Sequence, residues 1–183
     1  MNKKKTILIL FSVLSVILIA VPVSLIVQQE NIIATGQEFK FKTAPMDPFD
    51  AFRGRYVALG IETTHLDKPD NVKVTGGQTV FVLLEKDPDG FARLAKISAV
   101  APSSAPYLRC RVSHLYKNDV YLEVPLDKYY LQENKAPKAE ELYRSHNARN
   151  KQDGFILVAV KNGNAVIKGL YLGGKPIEEL LKK

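Results

Sequence analysis

Residues 154–174 read GFILVAVKNGNAVIKGLYLGG, two apolar runs around the pair Asn162-Gly163. Asn and Gly tolerate the positive φ angles of a two-residue turn, so the segment predicts a tight β-hairpin. Two more stretches repeat the pattern. In TVFVLLEKDPDGFARLAKISAV, residues 79–100, two apolar runs flank a Pro- and Gly-containing turn; in YLRCRVSHLYKNDVYLEVPL, residues 107–126, two runs flank YKND. The first and third hairpins share an apolar strand, a charged turn with Gly and a following Ala, which leaves an internal duplication open.

Outward from these hairpins, GQEFKFKTAPMD places Phe39 and Phe41 on one face of a half-buried strand. Val57, Leu59 and Ile61 share a face of another strand, and HLDKPDNVKVTGGQ, residues 65–78, reads as a loop. APKAEELYRSHN starts at a proline and repeats Ala139, Leu142, Tyr143 and His146 along one helical face. PIEELLKK suits a last helical turn or a frayed tail. The expectation is a mainly β fold of seven or eight strands, an antiparallel sandwich or partly open barrel with one short helix.

The N-terminus is of another kind. Lys3, Lys4 and Lys5 precede 22 uncharged residues, Thr6 to Val27. At about 1.5 Å per residue a helix of that length measures about 33 Å, enough for the ~30 Å hydrocarbon core. The run is longer than a signal-peptide core, and its exit, VPVSLIVQQENIIATG, has no small-x-small cleavage pattern. The lysines on its N-terminal side predict an inward N-terminus. Residues 1–5 are therefore read as a cytoplasmic basic end, 6–27 as a transmembrane anchor in the bilayer, 28–36 as a linker, and 37–183 as an extracytoplasmic β domain. The expected location is the bacterial inner membrane, single-pass.

The formal charge is +7, but three lysines precede the anchor and no acid does, so +4 remains beyond it. That balance is mild and scattered, which argues against nucleic acid as a partner. Cys110 is the single cysteine, so no internal disulfide forms. In YLRCRVS it alternates with Leu108 and Val112, which predicts a buried, inert thiol.

Catalytic patterns are sparse. His65, His114 and His146 lack metal-ligand spacing. Ser24 lies inside the predicted anchor, and the serines of APSSAP have the look of turn residues. In DPFDAFRG, residues 47–54, Asp47 can cap a turn, Pro48 suits a first helical position, Asp50 can pair with Arg53, and Gly54 suits the exit. The reading is a capped turn that launches a core strand. Tyr107, Tyr116, Tyr121, Tyr129, Tyr130 and Tyr143 crowd the second half near Arg109, Arg111 and Arg144. Tyr and Arg are frequent at interfaces, so Tyr107, Arg109, Arg111, Tyr129 and Tyr130 form the candidate contact surface. No cofactor, metal or catalytic residue is assigned.

The segment PMDPFDAFRGRYVALGIE, residues 45–62, resembles the signature of the GDYXXLXY proteins, a bacterial family of membrane-anchored β domains. Pro45, Asp47, Pro48, Asp50, Arg53, Gly54, Tyr56 and Leu59 match it. Residues 122–143 and 155–177 are similar to the family's later aromatic strand, short helix and closing hairpin. Two positions depart: Arg55 stands where the family has Asp, and Ile61 where it has Tyr. An acid replaced by arginine cannot keep a catalytic role, so the signature reads as structural. The resemblance implies work beside a multi-span membrane partner and carries no established activity. Three readings follow: a binding or assembly module of an envelope complex, the preferred one; an envelope hydrolase using the signature loop; and a scaffold that binds cell-wall glycan through Tyr and Arg.

Overall fold

A computed structural model of the chain describes residues 3–44, 56–69, 72–148 and 151–182. The first element is α1, Lys3–Thr35, a helix of 33 residues. It is apolar on every side, and its side chains from Ile7 to Val27 touch almost nothing of the protein. Such a helix is long and apolar enough to cross a membrane. Ser12, Ser15 and Ser24 donate their hydroxyls to carbonyls three or four residues back, at 2.7–3.0 Å. None of these three serine hydroxyls is therefore left unsatisfied in the apolar stretch, and Ser24 is held as a helix side chain. The helix runs through Pro22 without a break.

The helix also runs past the end of the apolar stretch. Residues 28–35, read from composition as the larger part of a linker, are helical. The cause is docking. Ile32 is buried against the domain, and the Gly36 N–H closes the helix on the Ile32 carbonyl at 2.8 Å. A Cβ at Gly36 would come within 2.5 Å of that carbonyl oxygen and 3.2 Å of the Val160 backbone, so only glycine admits this approach. Lys161 reaches the helix end, donating from Nζ to Asn31 Oδ1 at 3.0 Å and Thr35 Oγ1 at 2.6 Å. A cation at a helix C-terminus is the favourable pairing with its dipole.

The remainder is mostly β. The strands are β1 (Gln37–Ala44), β2 (Tyr56–Ala58), β3 (Gly60–Ile61), β4 (His65–Asp67), β5 (Thr79–Lys86), β6 (Ala92–Ser98), β7 (Tyr107–Tyr116), β8 (Asp119–Glu123), β9 (Lys128–Tyr130), β10 (Gly154–Lys161), β11 (Asn164–Leu172) and β12 (Lys175–Pro176). Helix α2 spans Ala136–His146 and α3 Ile177–Leu180. Seven of the strands have five residues or more; the other five are short pieces of two or three, of which β2 and β3 fall within the single strand expected around Val57, Leu59 and Ile61. Another, β4, sits in what the sequence presents as a loop; it is held by pairing with β8.

All the strand pairs in the sheets are antiparallel. One sheet has the order β12-β11-β10-β1-β3, a second β4-β8-β7-β5-β6, and β2 pairs β9 separately. The second sheet curls until its edges β4 and β6 approach each other, giving a nearly closed barrel. This is the partly open barrel of the two architectures expected. The three hairpins form where the turn residues place them. Asn162 and Gly163 take φ of 51° and 79°, the pair of positive angles a two-residue hairpin turn needs. The first and third hairpins each carry one register shift, at Leu83/Leu84 and at Leu157/Val158.

The core is continuous between the sheets and includes Phe39, Phe41, Val57, Leu59, Val82, Leu108, Val112, Leu126, Ile156 and Leu170. Alternation along each strand puts these side chains inside. Cys110 lies among them, and burial pushes its thiol pKa up to about 12, which makes it a poor nucleophile.

Candidate functional site

The signature divides at the limit of the described residues. Pro45, Asp47, Pro48, Asp50, Arg53 and Gly54, with the capped turn assigned to them, lie outside it. Tyr56 and Leu59 lie within. Tyr56 and Val57 belong to β2, paired with β9, whereas Gly60 and Ile61 form β3 and pair with β1. The single strand expected over 56–61 thus changes partners at Leu59, whose N–H donates to the Asp127 carbonyl at 2.8 Å. Val57 and Leu59 are buried as expected, while Ile61 is half-buried at the crossover.

Tyr143 of α2 fastens this region. Its hydroxyl donates to the Ala44 carbonyl at 2.9 Å and accepts from the Gly60 N–H at 3.3 Å. Ala44 precedes the signature segment and Gly60 follows its leucine, so one side chain joins both ends. Gly60 is tight there: a Cβ would meet the Ala44 carbonyl oxygen at 2.9 Å. Tyr56 lies beside Tyr130, ring centroids 5.7 Å apart, with the Lys128 ammonium 5.7 Å from its ring.

The Tyr/Arg residues do not form one patch. Tyr107, Arg109 and Arg111 stand in a row on the outward face of β7, because Leu108, Cys110 and Val112 fill the inward one. Tyr129 and Tyr130 sit on β9 in the small sheet, and no interaction joins the two groups among the described residues. Tyr130 is 70% exposed. Tyr129 turns the other way and donates its hydroxyl to the Glu178 carboxylate; burial, then this bond, holds its pKa well above the ordinary tyrosine value.

The β7 row extends further than the sequence signals. Phe81 of β5 lies opposite Arg109 and packs edge-on against Tyr107, centroids 5.6 Å apart. A bulge between Val112 and His114 leaves both Ser113 and His114 exposed and aligns His114 with Tyr121 of β8. The Tyr121 ring then stacks on His114 at 4.4 Å and His65 of β4 at 5.5 Å. The result is a band across four strands, aromatic at both ends, with Arg109 and Arg111 in the middle. Among the described residues neither arginine has an ion-pair partner. Phe81 and the histidine–tyrosine stack were hidden because a bulge and a strand pairing, not spacing, bring them together.

This band is joined to α1. The Gly163 carbonyl, at the β10–β11 tip, accepts the Arg109 N–H at 2.8 Å, and the Tyr107 ring covers Gly163 so closely that a Cβ there would lie 2.5 Å from it. Two residues before Gly163, Lys161 grips the end of α1. The path from α1 to Tyr107 and Arg109 therefore runs through one hairpin tip.

Of the histidines, His146 has a carboxylate partner, Asp153, at 2.7 Å, and its ring packs beside Gly173. The neighbouring Ser145 hydroxyl donates to the Leu142 carbonyl, away from that pair. Among the described residues no group of three or more His, Cys, Asp or Glu could hold a metal ion.

An antiparallel, nearly closed barrel behind an apolar N-terminal helix is the class of protein defined by these features. The sequence matches the GDYXXLXY protein family over residues 18–170, and the chain belongs to that family. No curated protein and no solved structure matches it.

Proposed function

We propose that the protein is a single-pass, non-enzymatic assembly module of a bacterial envelope complex. In this reading α1 crosses the inner membrane with its N-terminus in the cytoplasm. The barrel domain lies outside and presents the outward face of β7 to the extramembrane part of a multi-span membrane protein.

One observation carries the reading: the Tyr107–Arg109 end of the band sits on the same hairpin tip that grips the anchor. Eight helical residues, 28–35, separate the apolar run from the domain. At about 1.5 Å per residue they lift it about 12 Å, while the headgroup layer itself is about 5–7 Å deep. A contact face starting at that height meets membrane-embedded partners more readily than soluble ones. Arginines flanked by aromatic rings and without an ion-pair partner among the described residues, even though Glu123 lies across the strand from Arg111, are what such an interface uses.

The test is purification of the tagged full chain in mild detergent. A stoichiometric multi-span protein is expected with wild type and absent with Arg109→Glu/Arg111→Glu, at unchanged abundance. Co-purifying glycan in its place, or hydrolysis of a generic ester or peptide by the pure chain, would replace this reading with the scaffold or the hydrolase.

A further inference from the structure

The barrel sheet does not close by hydrogen bonds. Its edges β4 and β6 face each other, yet among the described residues no backbone bond joins them. β6 pairs with β5 on one side, and the N–H and C=O groups on its other side have no backbone partner among the described residues. Between the edges lies a cleft of about 880 Å³. Its two banks are the consecutive residues 66–69 and 95–98. Neighbouring residues of a strand point to opposite faces, so a cleft that touches consecutive residues on both banks runs along the backbone edges.

The cleft has apolar side chains inside and two lysines with one acid, Asp67, at its rim, a net positive charge. Leu66, Val72 and Ile97 line it, with Lys68 and Lys96 on opposite banks. Val100 stands at its mouth, 74% exposed, more than any other large apolar side chain outside α1 among the described residues. Lysines on a sheet edge discourage pairing with a second copy of the same edge, and they attract acidic side chains.

We propose that this seam is a binding site for an extended acidic–apolar peptide segment of a partner protein. The segment adds to β6 as a strand. Its backbone takes the unpaired edge groups, its alternate apolar side chains enter the cleft beside Ile97 and Val100, and its acids meet Lys68 and Lys96. The site is separate from the β7 face and does not depend on it.

The test uses the full chain in zwitterionic phosphatidylcholine nanodiscs and the fluorescein-labelled peptide acetyl-Glu-Val-Glu-Val-Glu-Val-amide. Two versions N-methylated on alternate residues, one on each set, and a Lys-Val analogue serve as probes. Saturable anisotropy binding of the Glu-Val peptide is expected, tenfold or more weaker for one of the two N-methylated versions and for the Lys-Val analogue. Val100→Asp should weaken it about tenfold with unfolding unchanged. Lys68→Glu/Lys96→Glu should reverse the charge preference, and Arg109→Glu/Arg111→Glu should leave binding intact. Bound peptide should slow amide exchange in residues 92–98. No saturable binding, equal binding of both N-methylated peptides, or binding indifferent to Val100→Asp and to charge reversal would overturn the proposal.

Discussion

Thr43 and Asn147, 104 residues apart, meet in the core with Oγ1 donating to Oδ1 at 3.1 Å, both side chains buried. Asn147 also donates from Nδ2 to the Tyr143 carbonyl at 3.0 Å, so it ends α2 and ties that end to β1. Gly154 lies against both groups: a Cβ there would approach Thr43 Oγ1 to 2.6 Å and Asn147 Nδ2 to 2.7 Å. Asn147→Ala leaves a buried hydroxyl without its acceptor, a cost of about 1–3 kcal/mol. Gly154→Ala overpacks the same spot at a similar cost, about 1–3 kcal/mol. Because the two act on one cluster, the double variant should lose less than the sum of the singles. Urea unfolding of the full chain in micelles measures this; strict additivity would mean that the contacts are independent.

High pH should weaken the domain. Tyr129 and Tyr143 both have pKa values raised above the usual tyrosine value, first by burial. In the unfolded chain they ionise near pH 10. The folded form holds its protons longer, so the stabilisation is complete below about pH 10 and fades as pH rises through the folded values. Stability measured from pH 8 to 11 should fall at the alkaline end. Tyr143→Phe should flatten that fall while losing about 0.5–1.5 kcal/mol at neutral pH, the worth of a hydroxyl bonded to Ala44 and Gly60. An unchanged alkaline slope in the variant would show that other groups set it.

Much of this fold was legible because the period-2 alternation and the turn residues agree. Asn162-Gly163 fixed one hairpin, and Leu108, Cys110 and Val112 announced the inner face of β7. What escaped depends on contacts between distant segments. His65 reads as part of a loop until β8 supplies its strand partner. Gln28 to Thr35 reads as a polar connection until Ile32 and Lys161 find each other's neighbourhood. The Arg109 and Arg111 half of the contact surface was visible as alternation. Its separation from Tyr129 was not, because a tyrosine's direction on a three-residue strand is set by Glu178, 49 residues later.

The two halves of the signature should differ in what they do for stability. Leu59 is 2% exposed at the point where the chain passes from one strand partner to another. Leu59→Ala should cost about 2–5 kcal/mol. Asp47, read as a capping residue, should cost about 0.5–2 kcal/mol when changed to Ala. Denaturant unfolding of both variants, with protein level in cells, tests the order. Should Asp47→Ala abolish a cellular phenotype while stability and abundance match wild type, the segment would be a functional site and the structural reading of the signature would be wrong.

Helix α1 should behave as a fixed stem. Ile32 is buried against the domain, and Lys161 bonds Asn31 and Thr35 at the helix end. Burying an isoleucine contributes about 1.5–3 kcal/mol, and a cation at a helix C-terminus about 0.3–1 kcal/mol. Together these exceed thermal energy several-fold, so α1 and the β10–β11 hairpin should move as one body. Spin labels at Gln29 and Lys175, both exposed positions, report the relation in a Cys110→Ala background. In nanodiscs the wild-type junction should give one narrow distance distribution. Lys161→Ala should broaden it, and Lys161→Ala with Ile32→Ser should broaden it further without unfolding the barrel. A distribution already broad with the native junction would show that the stem swivels. The Tyr107–Arg109 face would then have no fixed height above the bilayer, and the proposed membrane partner would lose its main support.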